Sequence, residues 1–467
     1  MNYNMIRLWT GCVTDDEFYD YCDKYGIMVW NDFWLYVAYN DVAEPEAFKA
    51  NALDKVRRLR NHPSIAIWCG ANETHPAPDL DNYLREMIAQ EDKNDRMYKS
   101  CSNQDGLSGS GWWGNQPPKH HFETSGSNLA FNKPAYPYGI DHGYGMRTEI
   151  GTATFPTFES VKLFIPQESW WPLPTDEQLK DDDDNVWNKH FFGKEASNAN
   201  PINYKKSVNT QFGESSSLEE FCEKAQLLNI EVMKGMYEAW NDKMWNDAAG
   251  LLIWMSHPAY PSFVWQTYDY YFEPTAAYFG CKKASEPLHI QWNPVTDEIE
   301  VVNYSAGVRN GLTAKAQIIN MDGSISWENE VSVDSKEDTT NKCMKLDFPA
   351  SVSSAHFVKL TLTENGKIVS DNFYLRGVEE GNYQALREMP KVTLRSNVAT
   401  NKGNDGTWTA TATLENTSST PALMIRVNVV GEKDGEQFLP MFYSDNYFSL
   451  LPGEKKEINI HWKDVDT

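Results

Sequence analysis

Paired cysteines are what this sequence most plainly lacks. Its seven (Cys12, Cys22, Cys69, Cys101, Cys222, Cys281, Cys343) never fall at C-x-x-C spacing. That removes the zinc ribbon and the disulfide framework, and the dispersed thiols read as free and buried. His120, His121, His142 and His257 are present, but no H-E-x-x-H pairing exists, so neither a metal site nor a cofactor is expected. Basic residues are scarce, 42 Lys and Arg against 66 Asp and Glu, for a formal charge of −24. This excess disfavours nucleic acid and anionic membranes as partners, because both select clustered cations. No apolar run approaches the roughly 20 residues of a membrane-spanning helix. The opening Met1-Asn-Tyr-Asn-Met-Ile-Arg7 has no charged-then-apolar signal layout. The acidic run Asp181–Asp184 lacks the spaced oxygens and turn glycine of a calcium loop and reads as a solvated loop.

What is present is length and aromatic surface. A chain of 467 residues exceeds one compact core and predicts two to four units. Its 17 Trp, 23 Tyr and 21 Phe suit a core, and equally a cleft where flat rings stack on sugar faces. Strand-like and helix-like stretches alternate from the start. Asn4 to Trp9 reads as a buried strand, Asp15 to Tyr25 as a helix, Ile27 to Trp30 as a strand, Glu44 to Arg60 as a helix and Ser64 to Cys69 as a strand. Leu218 to Trp240 is a long helix, Gly250 to Met255 a buried strand, and Thr275 to Lys283 a helix. Such alternation implies a parallel sheet with helices outside it. Residues 102–146, rich in Gly, Ser, Asn, Pro and aromatics (Gly-Ser-Gly-Trp112-Trp113-Gly), read as a functional loop set.

After Glu286 the texture changes to period-2 strands and hairpin turns, as in Ala314/Ala316/Ile318, Asp322-Gly323 and Asn365-Gly366. A second such block begins near Lys391, with Trp408/Ala410/Ala412/Leu414 and Pro452-Gly453. Both predict antiparallel sandwiches. The chain opens within a strand and stops just after a late one, so both ends read as cut.

Two segments carry chemistry. Asn61-His-Pro-Ser-Ile-Ala-Ile-Trp68-Cys-Gly-Ala-Asn72-Glu73 is an apolar strand that delivers an amide and a carboxyl at its C-terminal end, the active face of a β/α barrel. Cleaving a glycosidic bond requires a carboxylic acid there to protonate the leaving oxygen, and profits from an amide on the sugar 2-substituent. The bland reading of the same pair is a helix cap. Tyr144-Gly-Met-Arg147-Thr-Glu149-Ile-Gly151, followed by Phe155-Pro156, ends a second short strand in a carboxylate flanked by glycines, for which Arg147 offers a structural ion-pair partner.

Together these segments resemble glycoside hydrolase family 2. The acid/base motif of that family, a strand ending in Asn-Glu after "NHPS", matches Asn61 to Glu73, and its nucleophile motif matches Thr148-Glu149-Ile-Gly151 with Pro156. The likeness extends through Asn4 to Trp9, Asp16 to Tyr19, Val29 to Trp34, Phe221 to Gln226, Gly250 to Met255 and Tyr278 to His289 into both sandwiches. Within the family it is nearest to exo-β-D-glucosaminidases and plant-type endo-β-mannosidases. The resemblance implies Glu73 as general acid/base, Glu149 as nucleophile and Asn72 as the contact to the sugar 2-position. By position at strand ends, Arg7 would stabilise the nucleophile and Asp32 would bond sugar hydroxyls. Trp34, Trp112 and Trp254 would stack on sugar rings or pack in the core, and Tyr144 would bond Glu149 or pack. Trp9-Thr10-Gly11 departs from the Trp-Gly-Gly of many members.

The expectation is therefore a multidomain chain: a (β/α)8 TIM barrel over residues 1–285, incomplete because its first β/α unit is missing, then two immunoglobulin-like β-sandwiches over 286–388 and 389–467. The expected activity is a retaining, exo-acting β-glycoside hydrolase using double displacement on a β-glucosaminide or β-mannoside. Its two carboxyl groups should stand about 5 to 5.5 Å apart. β-Galactosidase, β-glucuronidase or endo-β-mannosidase activity shares that mechanism, and a catalytically weak glycan-binding fragment is the rival from another class. An oligosaccharide or polysaccharide is the expected partner, self-association through exposed barrel edges follows from a missing strand, and family analogy places the full-length protein in a periplasm, at a cell surface or outside the cell.

Overall fold

The computed structural model describes residues 1–36, 42–104, 106–123, 144–181, 184–193, 201–433 and 435–463. Met5–Leu8 (β1), Met28–Asp32 (β2), Ile65–Ala71 (β3) and Met97–Cys101 (β4) pair in parallel in that order. The outer connections are helices Asp16–Tyr25 (α1), Pro45–Leu59 (α2) and Pro78–Glu91 (α3). Proline in the first turn starts α2 and α3, where no backbone donor is lost. Gly26, at φ 69, ends α1 in the left-handed conformation. Gly109–Trp113 (β5), Gly145–Gly151 (β6) and Ala248–Ile253 (β7) form a second parallel sheet. Pro118–Glu123 (α4) lies between β5 and β6. Phe158–Val161 (α5), Asp176–Asp181 (α6), Val186–Lys189 (α7), Pro201–Phe212 (α8) and the 25-residue Leu218–Asp242 (α9) lie between β6 and β7.

The two sheets enclose one interior. Met5 of β1, Trp30 of β2, Ile67 and Cys69 of β3, Met146 of β6 and Leu252 of β7 meet in a single apolar cluster, the inward layer of a β/α barrel. Alternate strand residues face one side, so the next layer towards the C-terminal ends carries Arg7, Asp32 and Trp254. β1 and β7 are not paired with each other among the described residues. A groove of about 640 Å3 runs between them, lined by Asn2 to Trp9 on one side and Ala248 to Ser256 on the other.

Strand and helix boundaries differ from the sequence reading by a few residues. The larger difference lies in residues 102–146, which hold β5 and α4 rather than loops alone. Nor do α3 and β4 appear in that reading. Of the acidic run, Asp181 closes α6, and residues 182–183 lie outside the described residues.

Beyond Ala276–Ala284 (α10), the strands Leu288–Asn293 (β8), Glu298–Asn303 (β9), Arg309–Asn320 (β10), Ile325–Ser335 (β11), Thr339–Lys345 (β12), Ala355–Glu364 (β13) and Lys367–Gly377 (β14) make two antiparallel sheets, β11-β10-β13-β14 and β12-β9-β8. Leu312, Ala314, Ala316 and Ile318 alternate inward against Ile290, Ile299 and Val301. Leu394–Lys402 (β15), Thr407–Asn416 (β16), Ala422–Ile425 (β17), Phe442–Tyr443 (β18), Phe448–Leu450 (β19) and Lys455–Lys463 (β20) form the second sandwich, β15-β16-β20-β18 over β17-β19.

α9 joins the parts. Towards the first sandwich, its Glu231 pairs with Arg376 at 2.7 Å, Lys234 donates to the Phe373 carbonyl at 2.7 Å, and Glu238 meets His289 at 3.1 Å. Ile230 packs against the core of the second. Arg426 of the second sandwich reaches back to Glu159 at 2.9 Å and Glu273 at 2.8 Å.

Candidate active site

Strand ends on the upper rim converge on one guanidinium. Arg7 Nη1 donates to Glu149 Oε1, and Nη2 to both Asp32 Oδ2 and Asn72 Oδ1, each at 2.8 Å. Its side chain is only 5% exposed and Asp32 is fully buried, so these are low-dielectric, charge-assisted contacts. Asp32 is saturated: besides Arg7 Nη2 and Nε, it accepts from Trp30 Nε1 at 2.8 Å and Thr10 N at 3.0 Å. A carboxylate has about four acceptor sites. Asp32 therefore anchors Arg7 and has nothing left for the sugar hydroxyls expected of it.

Thr10 makes its contact from the left-handed region, φ 47. Next to it Gly11, at φ 71, lies so close to the Asp32 carbonyl that a Cβ would sit 2.9 Å from it. This explains the glycine where the sequence retains one.

β3 runs out through Asn72, whose N–H donates to Leu35 O at 3.0 Å. Glu73 then turns to φ 55, a costly conformation for a residue with a Cβ. Ser102 Oγ accepts its backbone N–H at 2.9 Å, and the Ser110 hydroxyl donates to its Oε1. Ser110 is the register partner of Glu149 across β5 and β6, so Glu73 and Glu149 come to one place. Electrostatics agree: burial, with a further push from Glu73, raises the Glu149 carboxyl to about 8 against the lowering pull of Arg7.

The guanidinium that reaches Glu149 is thus Arg7's, whereas Arg147 donates to the Gly111 carbonyl at 2.7 Å and lies over Trp240. Gly151 admits a neighbouring strand end: a Cβ there would stand 2.1 Å from the Trp254 carbonyl. Tyr144 does not meet Glu149. Its hydroxyl donates to the His121 and Phe122 carbonyls at 2.9 and 3.0 Å, and its ring packs on Trp240. Trp34 packs on Phe33 and Phe48 under the Lys55 ammonium, on the α2 side of the wall. Trp112 lies on β5, its side chain outside the described residues. Trp254 does stand on the rim, 4.7 Å centroid to centroid from Trp9. Trp265 lies 6.3 Å from Trp254 and 6.5 Å from Trp113, and Tyr36 lies 5.7 Å from Trp9. Trp9, Trp113, Trp265, Tyr36, Ser102 and Ser110 escaped the sequence reading. Only Trp9, two residues after Arg7 and just past the end of β1, carried a usable signal.

One group of metal-ligand type occurs among the described residues, Asp20, Asp23 and His62, and it lies away from this rim at the base of α1. No helix among the described residues is long and apolar enough to cross a membrane.

A family model described as a mannosidase Ig/CBM-like domain matches residues 298–376, and one described as an exo-beta-D-glucosaminidase Ig-fold domain matches residues 372–467. Over 99% of its length the chain is 27% identical to a mannosylglycoprotein endo-beta-mannosidase of Lilium longiflorum, covering 58% of that relative. Over 98% it is 28% identical to an exo-beta-D-glucosaminidase of Hypocrea jecorina, covering 55%. A solved exo-chitosanase from Amycolatopsis orientalis superposes with a TM-score of 0.83 at 21% identity, over 99% of this chain and 57% of that one. A beta-D-mannosidase from Dictyoglomus thermophilum does so at 0.75 and 20%, over 99% and 54%. The chain thus spans little more than half the length of these relatives. In sequence it is similar to exo-beta-D-glucosaminidases and mannosidases, and its fold is a TIM-barrel part followed by immunoglobulin-like sandwiches.

Proposed function

We propose that this site belongs to a retaining, exo-acting β-glycoside hydrolase that removes a β-glucosaminide or β-mannoside unit from an oligosaccharide or polysaccharide. The observation that carries the reading is the Arg7 clamp, one guanidinium bonded at 2.8 Å to Glu149 and to Asn72, the neighbour of Glu73. In the first step Glu149, ionised, attacks the anomeric carbon while Glu73, protonated, gives its proton to the departing oxygen. In the second, Glu73 takes a proton from water as that water displaces Glu149. Arg7 favours the charged form of Glu149 against the opposing effect of burial, and Asn72, oriented through its Oδ1, presents its amide N–H to the sugar 2-substituent. Trp254 and Trp9 offer rings for the sugar face. Relatives named for exo-beta-D-glucosaminidase and endo-beta-mannosidase activity support this substrate class.

The barrel is proposed to have eight strands in its complete form, with the seat of one strand in the groove between β1 and β7. Self-association would use the same two edges. Domain boundaries are placed at 285/286 and 388/389, and export from the cytoplasm is the proposed localisation. The test is Glu149→Ala. Turnover should vanish with folding retained, and azide should restore it with an inverted glycosyl azide as product. Unchanged hydrolysis would remove the nucleophile assignment, and glycan binding without release of reducing sugar by the unaltered chain would leave a binding protein.

A further inference from the structure

Two serines, one just past β4 and one on β5, hold Glu73, and they do different things. Ser102, just past β4, accepts the Glu73 backbone N–H at 2.9 Å and donates to Asn72 Oδ1 at 3.4 Å, so it fixes peptide and amide. Ser110, on β5, is the hydrogen-bond partner of the Glu73 carboxyl itself among the described residues. It stands in register with Glu149, so β5 brings one hydroxyl beside both carboxyl groups.

We propose that Ser110 is a positioning residue that keeps the Glu73 carboxyl aimed at the leaving-group oxygen in both of its protonation states, a role that rests on Glu73 being the acid/base. The chemistry of a hydroxyl suits it to this. The Ser110 hydroxyl donates to Glu73 Oε1, which accepts both as a carboxylate oxygen and as the carbonyl oxygen of the acid, and the acidic proton stays on Oε2, facing the leaving group. Glu73 begins the cycle as the acid. Its Oε2 proton passes to the glycosidic oxygen as the C–O bond breaks and the Glu149–carbon bond forms, and Ser110 keeps its bond to the carboxylate left behind. Glu73 Oε2 then takes a proton from water as the new C–O bond forms and the bond to Glu149 breaks. An ammonium group in place of the hydroxyl would favour the charged form and oppose the return of the proton. Glu73 stands at φ 55 just past the end of β3, and the Ser110 hydroxyl restrains its side chain there.

The experiment is Ser110→Ala in the full chain, with release of the first phenol or alcohol measured in a single turnover on aryl and alkyl β-D-glucosaminides and β-D-mannosides. Leaving groups run from dinitrophenol, which departs without a proton, to methanol, which requires one. A misaimed acid lowers kcat/KM about tenfold or more for the poor leaving groups and less than about twofold for dinitrophenol. Ser110→Thr restores the pattern, and Ser110→Ala adds nothing further in a Glu73→Ala background. An equal loss on all leaving groups, or full additivity with Glu73→Ala, overturns the positioning role. If Glu73→Ala itself treats all leaving groups alike, the acid/base reading falls instead. If Glu73→Ala shows the leaving-group dependence and Ser110→Ala does not, only the role of Ser110 is lost. No release of any phenol by the unaltered chain overturns both.

Discussion

Arg7 and Asp32 act in series: the buried carboxylate fixes the guanidinium, and the guanidinium holds Glu149 and Asn72, the groups proposed to attack and to bind the sugar. Asp32→Asn should therefore lower kcat about ten- to a hundredfold, the cost of a lost charge-assisted bond, with KM changed less than about twofold. A large KM effect would mean that Asp32 touches substrate after all. Arg7→Gln removes the lowering pull on Glu149 and leaves burial unopposed. The carboxyl must then move above about 8, so the acidic limb of the kcat/KM profile moves to higher pH. For every pH unit that the limb moves, the ionised fraction near neutrality falls about tenfold. A profile unmoved by Arg7→Gln would contradict the clamp. At this scale the sequence was half readable. Asn72-Glu73 announces itself because an apolar strand ends just before it, and Glu149 because it stands between glycines in a short strand. Asp32 reads as a sugar ligand because no local pattern shows that Arg7 and Thr10, more than twenty residues earlier in the chain, join Trp30 in filling its acceptor sites. Ser102 and Ser110 were invisible, since their roles depend on Glu73 turning left-handed at the strand end.

Among the elements, the segment after β6 is organised by one ring. Phe155 is fully buried, with centroids 4.6 Å from Phe263, 5.0 Å from Phe221 and 5.5 Å from Phe192. Its carbonyl accepts from Gln226 and Asn229 of α9. Phe155→Ala should cost about 3 to 5 kcal/mol, read as a lower denaturant midpoint with the m-value unchanged. A loss below about 1 kcal/mol would show that the rings repack without it. In the sequence Phe155 is only the residue before a proline. Its centrality comes from aromatics far along the chain, which no local pattern records. By contrast, β1, β2, β3 and β7 were legible because apolar runs bounded by turn residues need no distant information. β5 was not: Gly-Ser-Gly-Trp-Trp has neither alternation nor a continuous apolar run, and β6 gives it strand character by pairing.

For the molecule as a whole, both sandwiches dock on the barrel through charged side chains, differently arranged. At the second, Arg426 serves Glu159 and Glu273, while Arg426 Nε, Glu273 Oε2 and the Tyr447 hydroxyl are buried without a partner among the described residues. Burial pushes Glu273 up to about 7 and nearby Asp269 up to about 6. Folded-state values above the unfolded ones mean that both groups favour folding while protonated. Their contribution is complete below pH ~4 and is lost as pH rises through about 6 and about 7. Glu273→Gln should accordingly flatten the fall in Tm between about pH 5 and 8 and raise Tm at the upper end of that range. A parallel curve would show that Glu273 titrates without stress.

The first sandwich, by contrast, is held by a row of side chains along α9. At 1.5 Å per residue that helix is about 38 Å long, and Glu231, Lys234 and Glu238 grip the sandwich along it, independently of the chain that links them. Covalent continuity near residue 285 is then dispensable once assembly has occurred. A single protease nick there should yield two polypeptides that still elute together and separate only under denaturing conditions, with α9 serving as the rivet.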